Sequence, residues 1–132
     1  MKKLDAIKER LFFLAQDSPS FARAKIVSVL VDGTRIISYG YNQPKTHPLQ
    51  RKYASNPKSI YLHSEIDAIR NGIRRQNNEI KGLTLITIRV KKERGDYVLG
   101  MAHPCAGCQR AIIDYELKSY YSLDHQQDKD FN

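Results

Sequence analysis

Cysteine is scarce in this sequence and tryptophan is absent. The 132 residues include two cysteines, Cys105 and Cys108, whereas small secreted domains often carry several disulfides. No apolar run approaches the ~20 residues that a bilayer-spanning helix needs. The charged start, residues 1–5, does not resemble the apolar segment of a secretory signal. We therefore expect residues 1–132 to form a single soluble, cytoplasmic domain.

Acidic residues are fewer than basic ones. Asp and Glu number 14 and Lys and Arg number 22, which gives a net charge of +8. A surplus of this size suits an anionic partner, either the phosphate of a nucleotide or a polynucleotide. A lysine-rich surface that has no specific partner would have the same composition. Charge alone leaves these interpretations open.

Hydrophobic periodicity predicts a helix, a hairpin and then a long loop in the first half of the chain. The helix is expected over residues 3–15. Residues 25–31 and 35–41 are rich in β-branched residues and are separated by an Asp-Gly turn signal. The loop, 42–61, contains three prolines, and loops of this length are more often functional than idle. The apolar positions of the helix are Leu4, Ile7, Leu11 and Leu14.

The second half alternates helices with strands. Helices are predicted at 62–76 and 105–117, and strands at 83–90, 97–99 and 119–123, with a charged turn at 91–96 and a fraying tail at 124–132. This alternation predicts an α/β fold, a three-layer α/β/α sandwich with a mixed central sheet. The side chains of the last helix that we expect to face the core are Ala111, Ile112, Ile113 and Leu117.

Two short motifs supply a set of metal ligands, His63-x-Glu65 and Pro104-Cys105-x-x-Cys108. Thiols three residues apart lie on one face of a helix start, where the helix dipole favours the thiolate. An imidazole and two thiolates are ligands of Zn²⁺, and three protein ligands leave the fourth position for water, as in catalytic sites. Glu65 is placed to accept a proton from that water.

The order of these motifs resembles the signature of the cytidine deaminase superfamily, which includes deoxycytidylate deaminases and nucleic-acid-editing deaminases. The resemblance covers about residues 20–123. It implies a cytidine deaminase-like fold, Zn²⁺ held by His63, Cys105 and Cys108, and an oligomeric enzyme. It also implies hydrolysis of the amino group of a cytosine nucleotide or nucleoside to give uracil and ammonia, with Glu65 carrying the protons.

Other interpretations of the same residues remain open. The two cysteines also fit a redox pair. His103 or His47 would close the zinc site and make it structural if either supplied a fourth ligand. His63 also fits a histidine of the core.

Candidate substrate contacts lie on both sides of the zinc motifs. Asn42, in a Gly-x-Asn sequence, resembles a family position that contacts the sugar or the base, although Asn is also common in turns. Tyr121 resembles a tyrosine near the substrate in some relatives, but core packing is the favoured explanation. His103 stands where several members carry Ser or Glu, and with Pro104 it is expected beside the substrate.

Basic and aromatic residues cluster in the loop before the zinc helix. They suit a clamp for a 5′-phosphate, a track for a single strand, or a solvated loop without a partner. A mononucleotide is favoured, and the alternatives are deamination of cytosine or adenine in single-stranded DNA or RNA, or a non-catalytic basic zinc module that binds nucleic acid. We expect the nine residues after Leu123 to be too few for the helix and strand that deoxycytidylate and polynucleotide deaminases usually add there. This weakens the first alternative, and it also weakens a close match to ordinary deoxycytidylate deaminases. The members of the cluster are Lys45, His47, Arg51, Lys52, Tyr53, Lys58 and Tyr61.

Overall fold

A computed structural model describes residues 2–17, 25–54, 62–77 and 79–123, with side chains from residue 6 onward. Within these residues, five strands form one sheet and four helices flank it. None of the helices in these ranges is long and apolar enough to cross a membrane. The elements in chain order are α1 (Lys2–Asp17), β1 (Lys25–Asp32), β2 (Arg35–Tyr41), α2 (Pro48–Tyr53), α3 (Ser64–Arg75), β3 (Thr84–Glu93), β4 (Asp96–Gly100), α4 (Ala106–Asp114) and β5 (Lys118–Tyr121).

The sheet is mixed, and β3 is its central strand. The strand order is β2-β1-β3-β4, and these neighbours are antiparallel. β5 runs parallel to the first half of β3, while β4 pairs with its second half. Ser122 lies at the junction, where its buried hydroxyl donates to the Gly100 carbonyl at 2.7 Å and accepts the Arg89 N–H at 3.1 Å. The end of β4 is thereby fixed beside the end of β5.

Side chains that alternate along the strands build two hydrophobic cores. On one face, Ile86, Ile88 and Val90 of β3 pack with Ile7 and Leu11 of α1. On the other face, a second core joins the sheet to α3 and α4, and its members include Leu30, Leu85, Ile66, Ile69, Ala111 and Ile112. The predicted α/β/α sandwich with a mixed sheet is confirmed.

Three local predictions were wrong. The segment 42–61 contains a helix, α2, because Pro48 occupies its first position and the Nδ1 atom of His47 accepts the Leu49 N–H at 3.0 Å. The turn at 91–96 is only two residues long, since Arg94 and Gly95 both have positive φ and the residues beside them are paired.

The third error concerns α4. Ile113 is 71% exposed rather than turned to the core. The helix ends at Asp114 instead of 117, because Glu116 has a φ of +53°, in the left-handed region that stops a helix. Other predictions lie outside the described residues: the side chain of Leu4, residues Pro57, Lys58 and Tyr61, and the tail 124–132.

Candidate metal centre and substrate cleft

Three metal-ligating side chains meet where two helices begin. His63 is the residue before α3 and Cys105 is the residue before α4. The Nδ1 atom of His63 lies 3.5 Å from Sγ of Cys105 and 3.4 Å from Sγ of Cys108. One ligand atom from each of the three residues lies within 4.8 Å of the other two. The predicted ligands are therefore together, at a spacing that one ion can bridge.

The unpredicted helix α2 contacts both helix starts. Gln50, which is buried, accepts the backbone N–H of His63 through Oε1 at 3.0 Å. The carbonyl oxygen of Tyr53 lies so close to α4 that a Cβ added at Gly107 would be 2.0 Å from it. The same oxygen accepts from Arg110 at 2.9 Å. α2 thus fixes the distance between the imidazole and the thiols.

The charges of the three ligands fit a divalent cation. Hydrogen bonds from Cys108 and His63 lower the pKa of Cys105 to about 3, which favours its thiolate form. Its neighbour Cys105, together with burial, raises the pKa of Cys108. The hydrogen bond to Cys105 raises the pKa of His63 as well. A dication bound at this place would be held by two thiolates and a neutral imidazole, which is a donor set that zinc prefers.

Glu65 lies in the first turn of α3 with its carboxyl group buried. Its Oε1 accepts a hydrogen bond from Ser64 Oγ at 3.1 Å, and Ser64 Oγ lies 2.8 Å from Ser28 Oγ. Burial raises the pKa of Glu65 above the ordinary value of a glutamate. A carboxyl group of raised pKa is suited to take up a proton and return it.

A cleft of about 360 Å³ opens beside these groups. Asn42 and His103, two predicted substrate contacts, are among the residues that line it. Asn42 also accepts the Ile26 N–H through Oδ1 at 3.4 Å. The other lining residues are Ile26, Leu62, His63, Ser64, Glu65, Thr87, Arg89, Met101, Ala102 and Cys105.

Four predicted substrate residues, Lys45, His47, Pro104 and Tyr121, are not among the residues that line the cleft. Lys45 is exposed, and its carbonyl accepts the Leu62 N–H at 2.7 Å. His47 begins α2, and the buried Pro104 accepts from Gln109 Nε2 at 2.9 Å through its carbonyl. The ring of Tyr121 packs edge-on against His103, with 5.1 Å between centroids.

The basic cluster of the sequence looks different in the structure. Tyr53 is buried, and its hydroxyl donates to Asp114 at 2.8 Å, so the ring does not face solvent where a base would stack. Arg51 and Lys52 are exposed on α2.

Arg89 and Thr87 of the cleft were missed by the sequence analysis. Both belong to the run 83–90, which was interpreted as a buried strand only. The signal that points to Arg89 is the charged residue itself, because an arginine inside such a run is unusual.

A closed zinc site is not what the described residues form. Within residues 6–17, 25–54, 62–77 and 79–123, the group of potential metal ligands contains His63, Cys105 and Cys108 and no fourth side chain. His103 lines the cleft but is not in this group, and Nδ1 of His47 is occupied as a helix cap. A redox pair would not require the imidazole that contacts both thiols.

The sequence matches one family over most of its length. The family model described as "Cytidine and deoxycytidylate deaminase zinc-binding region" matches residues 1–123. No curated protein sequence matches this chain.

Solved structures resemble the fold. A dCMP deaminase from the cyanophage S-TIM5, in complex with dCMP and dUMP, has a TM-score of 0.61 at 18% identity, over 96% of this chain and 85% of that chain. The apo form of dCMP deaminase from the same phage gives 0.56 at 23% identity, over 89% and 83%. A diaminohydroxyphosphoribosylaminopyrimidine deaminase/5-amino-6-(5-phosphoribosylamino)uracil reductase from Thermotoga maritima gives 0.52 at 21% identity, over 93% of this chain and 30% of that one.

Proposed function

Because the chain belongs to the cytidine and deoxycytidylate deaminase zinc-binding family, we propose that it hydrolyses the amino group of a cytosine nucleotide or nucleoside. The products are the uracil form and ammonia. The observation that carries this proposal is a three-ligand zinc site that lies beside the same cleft as a buried carboxyl group. That carboxyl group belongs to Glu65, in the first turn of the helix that follows His63. The dCMP and dUMP bound to the S-TIM5 deaminase support a pyrimidine nucleotide as the substrate.

The zinc site is the first part of the proposed machinery. His63, Cys105 and Cys108 would hold the ion, and zinc in such a site supplies Lewis acidity that makes a water molecule a better nucleophile. Two negatively charged thiolates would cancel much of the positive charge of the ion, so the ion would make water less acidic. A nearby proton acceptor is therefore needed, and the protein provides one.

Glu65 is proposed as the group that moves protons. The oxygen of water bonds to C4 of the ring while the carboxylate of Glu65 takes the proton that water loses. Glu65 delivers that proton to N3, takes the second proton from the hydroxyl group now on C4, and delivers it to the exocyclic nitrogen. The bond from C4 to that nitrogen then breaks, the remaining oxygen becomes the C4 carbonyl of the uracil form, and ammonia leaves. The raised pKa of Glu65 in its buried position supports this role, since a group must both accept and release the proton near neutral pH.

Asn42 and His103 are proposed to orient the substrate. Both line the cleft, and each offers a polar group from a segment just past a strand. The amide of Asn42 suits the sugar or the edge of the base, which present both donors and acceptors. The edge-on packing of Tyr121 would hold the His103 ring in place, so we propose an indirect role for Tyr121.

The function is tested by measuring ammonia release from purified zinc-loaded protein. The panel contains cytidine, deoxycytidine, CMP, dCMP, dCTP and a cytosine-bearing oligonucleotide. We expect turnover of at least one nucleoside or mononucleotide, and a loss of roughly 10²- to 10⁴-fold in Glu65→Gln. Zinc content, measured by elemental analysis, should not change in that variant.

Glu79→Gln is the matched control, because Glu79 is an exposed glutamate outside the cleft. It should keep both zinc and wild-type turnover. A Glu65→Gln protein that still releases ammonia at the wild-type rate would overturn the assignment of Glu65. The absence of turnover with every member of the panel would overturn the function.

A further inference from the structure

Arg89 places a positive charge at the cleft without an ion-pair partner in the described part of the chain. The ion pairs there are Arg35 with Asp32, Arg70 with Asp67, Lys81 with Glu116 and Lys91 with Glu93. Arg89 is exposed, and it lines the same cleft as Glu65 and His63. A guanidinium that faces a binding cleft and is not neutralised from within the protein is available to a bound anion.

The fold fixes where this side chain lies. On β3, Ile88 and Val90 face the core with α1, whereas Leu85 packs with α3 and α4. Alternation therefore turns Arg89 to the α3 side of the sheet, where the cleft is. This position comes from the register of the strand and not from a flexible loop.

Gly100 makes room for the side chain of Arg89. The two residues are directly paired between β3 and β4. A Cβ added at Gly100 would lie 3.3 Å from both Cγ and Cδ of Arg89, so the aliphatic part of the arginine lies across the glycine. The backbone N–H of Arg89 is held by Ser122 Oγ. The base of the side chain is thus fixed, and Arg89 is one of the residues that line the cleft.

We propose that Arg89 binds the phosphate of a mononucleotide substrate and makes this enzyme select a nucleotide over the free nucleoside. The inference rests on the proposed function, and it moves the phosphate contact from the predicted basic loop to β3. Arginine offers a planar set of donors that matches two oxygens of a phosphate, and it stays charged at all relevant pH values. Lys45 and His47 of the loop are not among the cleft-lining residues, so Arg89 is the cation with the better position.

Binding is measured by calorimetry in the zinc-loaded Glu65→Gln background, so that substrate is not consumed. Ligands are dCMP, deoxycytidine and a cytosine-bearing oligonucleotide. We expect Arg89→Met to weaken dCMP binding by roughly 10- to 100-fold, as for loss of a charge-assisted hydrogen bond. Deoxycytidine affinity should change less than about twofold, because it lacks the phosphate. Arg89→Lys keeps the charge but not the paired donors, so its affinity for dCMP should lie between that of Arg89→Met and that of the protein with Arg89.

Arg75→Met is the matched control. Arg75 is exposed in the last turn of α3 and is not a cleft residue, so its loss removes the same net charge elsewhere. Equal losses in Arg75→Met and Arg89→Met would overturn the proposal, as would an unchanged dCMP affinity in Arg89→Met. Weakened binding of the oligonucleotide alone would also overturn it.

The same variants separate this inference from the function. If the wild-type protein releases no ammonia but dCMP binding still depends on Arg89, the phosphate site stands and the proposed reaction fails. If wild-type protein deaminates dCMP and Arg89→Met does so with an unchanged preference over deoxycytidine, the reaction stands and the phosphate site fails. A thermal melt of each variant checks that folding is unchanged.

Discussion

At the scale of single residues, Glu65 lies at the end of a chain of buried hydroxyl groups. Thr87 Oγ1 and Ser28 Oγ are 2.8 Å apart, Ser28 Oγ and Ser64 Oγ are 2.8 Å apart, and Ser64 donates to Glu65. An ionised carboxylate only accepts, so Ser64 must donate to it, Ser28 to Ser64, and Thr87 to Ser28. The direction of every hydrogen bond in the chain is set by the charge at its end.

Replacing Ser28 with alanine should therefore affect both stability and catalysis. The substitution leaves the Thr87 hydroxyl without an acceptor and Ser64 without a donor, in a buried place. We expect a loss of about 1–3 kcal/mol in the free energy of unfolding, measured with urea, and a roughly 2- to 10-fold lower kcat at similar KM.

Ser38→Ala is the matched comparison for Ser28→Ala. Ser38 is also a buried serine of the sheet, but its hydroxyl donates to the Ala68 carbonyl. It should lose stability while keeping kcat. If the two variants have the same kcat, the hydroxyl chain has no part in positioning Glu65.

The sequence predicted some of these residues and not others for a physical reason. His63 and Glu65 are near neighbours in the chain, as are Cys105 and Cys108, so each pair forms a short motif that is visible in the sequence. Ser28 and Thr87 come together only through the pairing of β1 with β3. The pattern of a strand shows which residues face the same side, but it does not show the register between strands. A hydrogen bond between side chains of two strands therefore leaves no signal in the local sequence.

At the scale of elements, α2 is a small helix that supports the metal site. Its Gln50 holds the His63 N–H and its Tyr53 carbonyl lies against Gly107. Three prolines in 42–61 predicted a loop, because proline disfavours helix at the preceding residue. At the first helical position, however, proline is favourable. The sequence alone does not show whether Pro48 lies in a loop or begins a helix that His47 caps.

Gly107→Ala tests this support. The added Cβ would be 2.0 Å from the Tyr53 carbonyl oxygen, which belongs to backbone and cannot turn aside. We expect a loss of about 1–3 kcal/mol in stability, although alanine favours an isolated helix by about 1 kcal/mol over glycine. Zinc affinity, measured by competition with a chelator, should also fall because α2 and α4 must separate.

Gly72→Ala serves as the comparison for Gly107→Ala. It also lies in a helix, but its added Cβ would meet Leu30 Cδ2 at 2.5 Å, the end of a flexible side chain. It should be less destabilising than Gly107→Ala and should leave zinc affinity unchanged. The opposite order would mean that the contact between α2 and α4 does not limit the site.

At the scale of the whole molecule, the layers followed from periodicity. Helices that alternate with strands require a sheet covered on both faces, and this part of the fold was predicted correctly. The order of strands within the sheet was not predicted. It depends on β4 and β5 sharing one edge of β3, and the buried Ser122 that joins them is an ordinary polar residue in the sequence.

Removing the metal should lower the stability of the whole domain. His63 belongs to the start of α3 and the two cysteines to the start of α4. An ion would therefore link a segment that precedes β3 in the chain to a segment that follows β4. A ligand present at 100 times its Kd stabilises the native state by about 2.7 kcal/mol, which corresponds to roughly 5–15 °C in Tm for a domain of this size.

We expect chelation to lower Tm by this amount and added zinc to restore it. A Cys108→Ser protein should melt at a temperature that chelator does not change. An equal chelator effect in the wild type and in Cys108→Ser would show that the ion binds elsewhere, and no effect in either would show that these three side chains do not hold a stabilising metal.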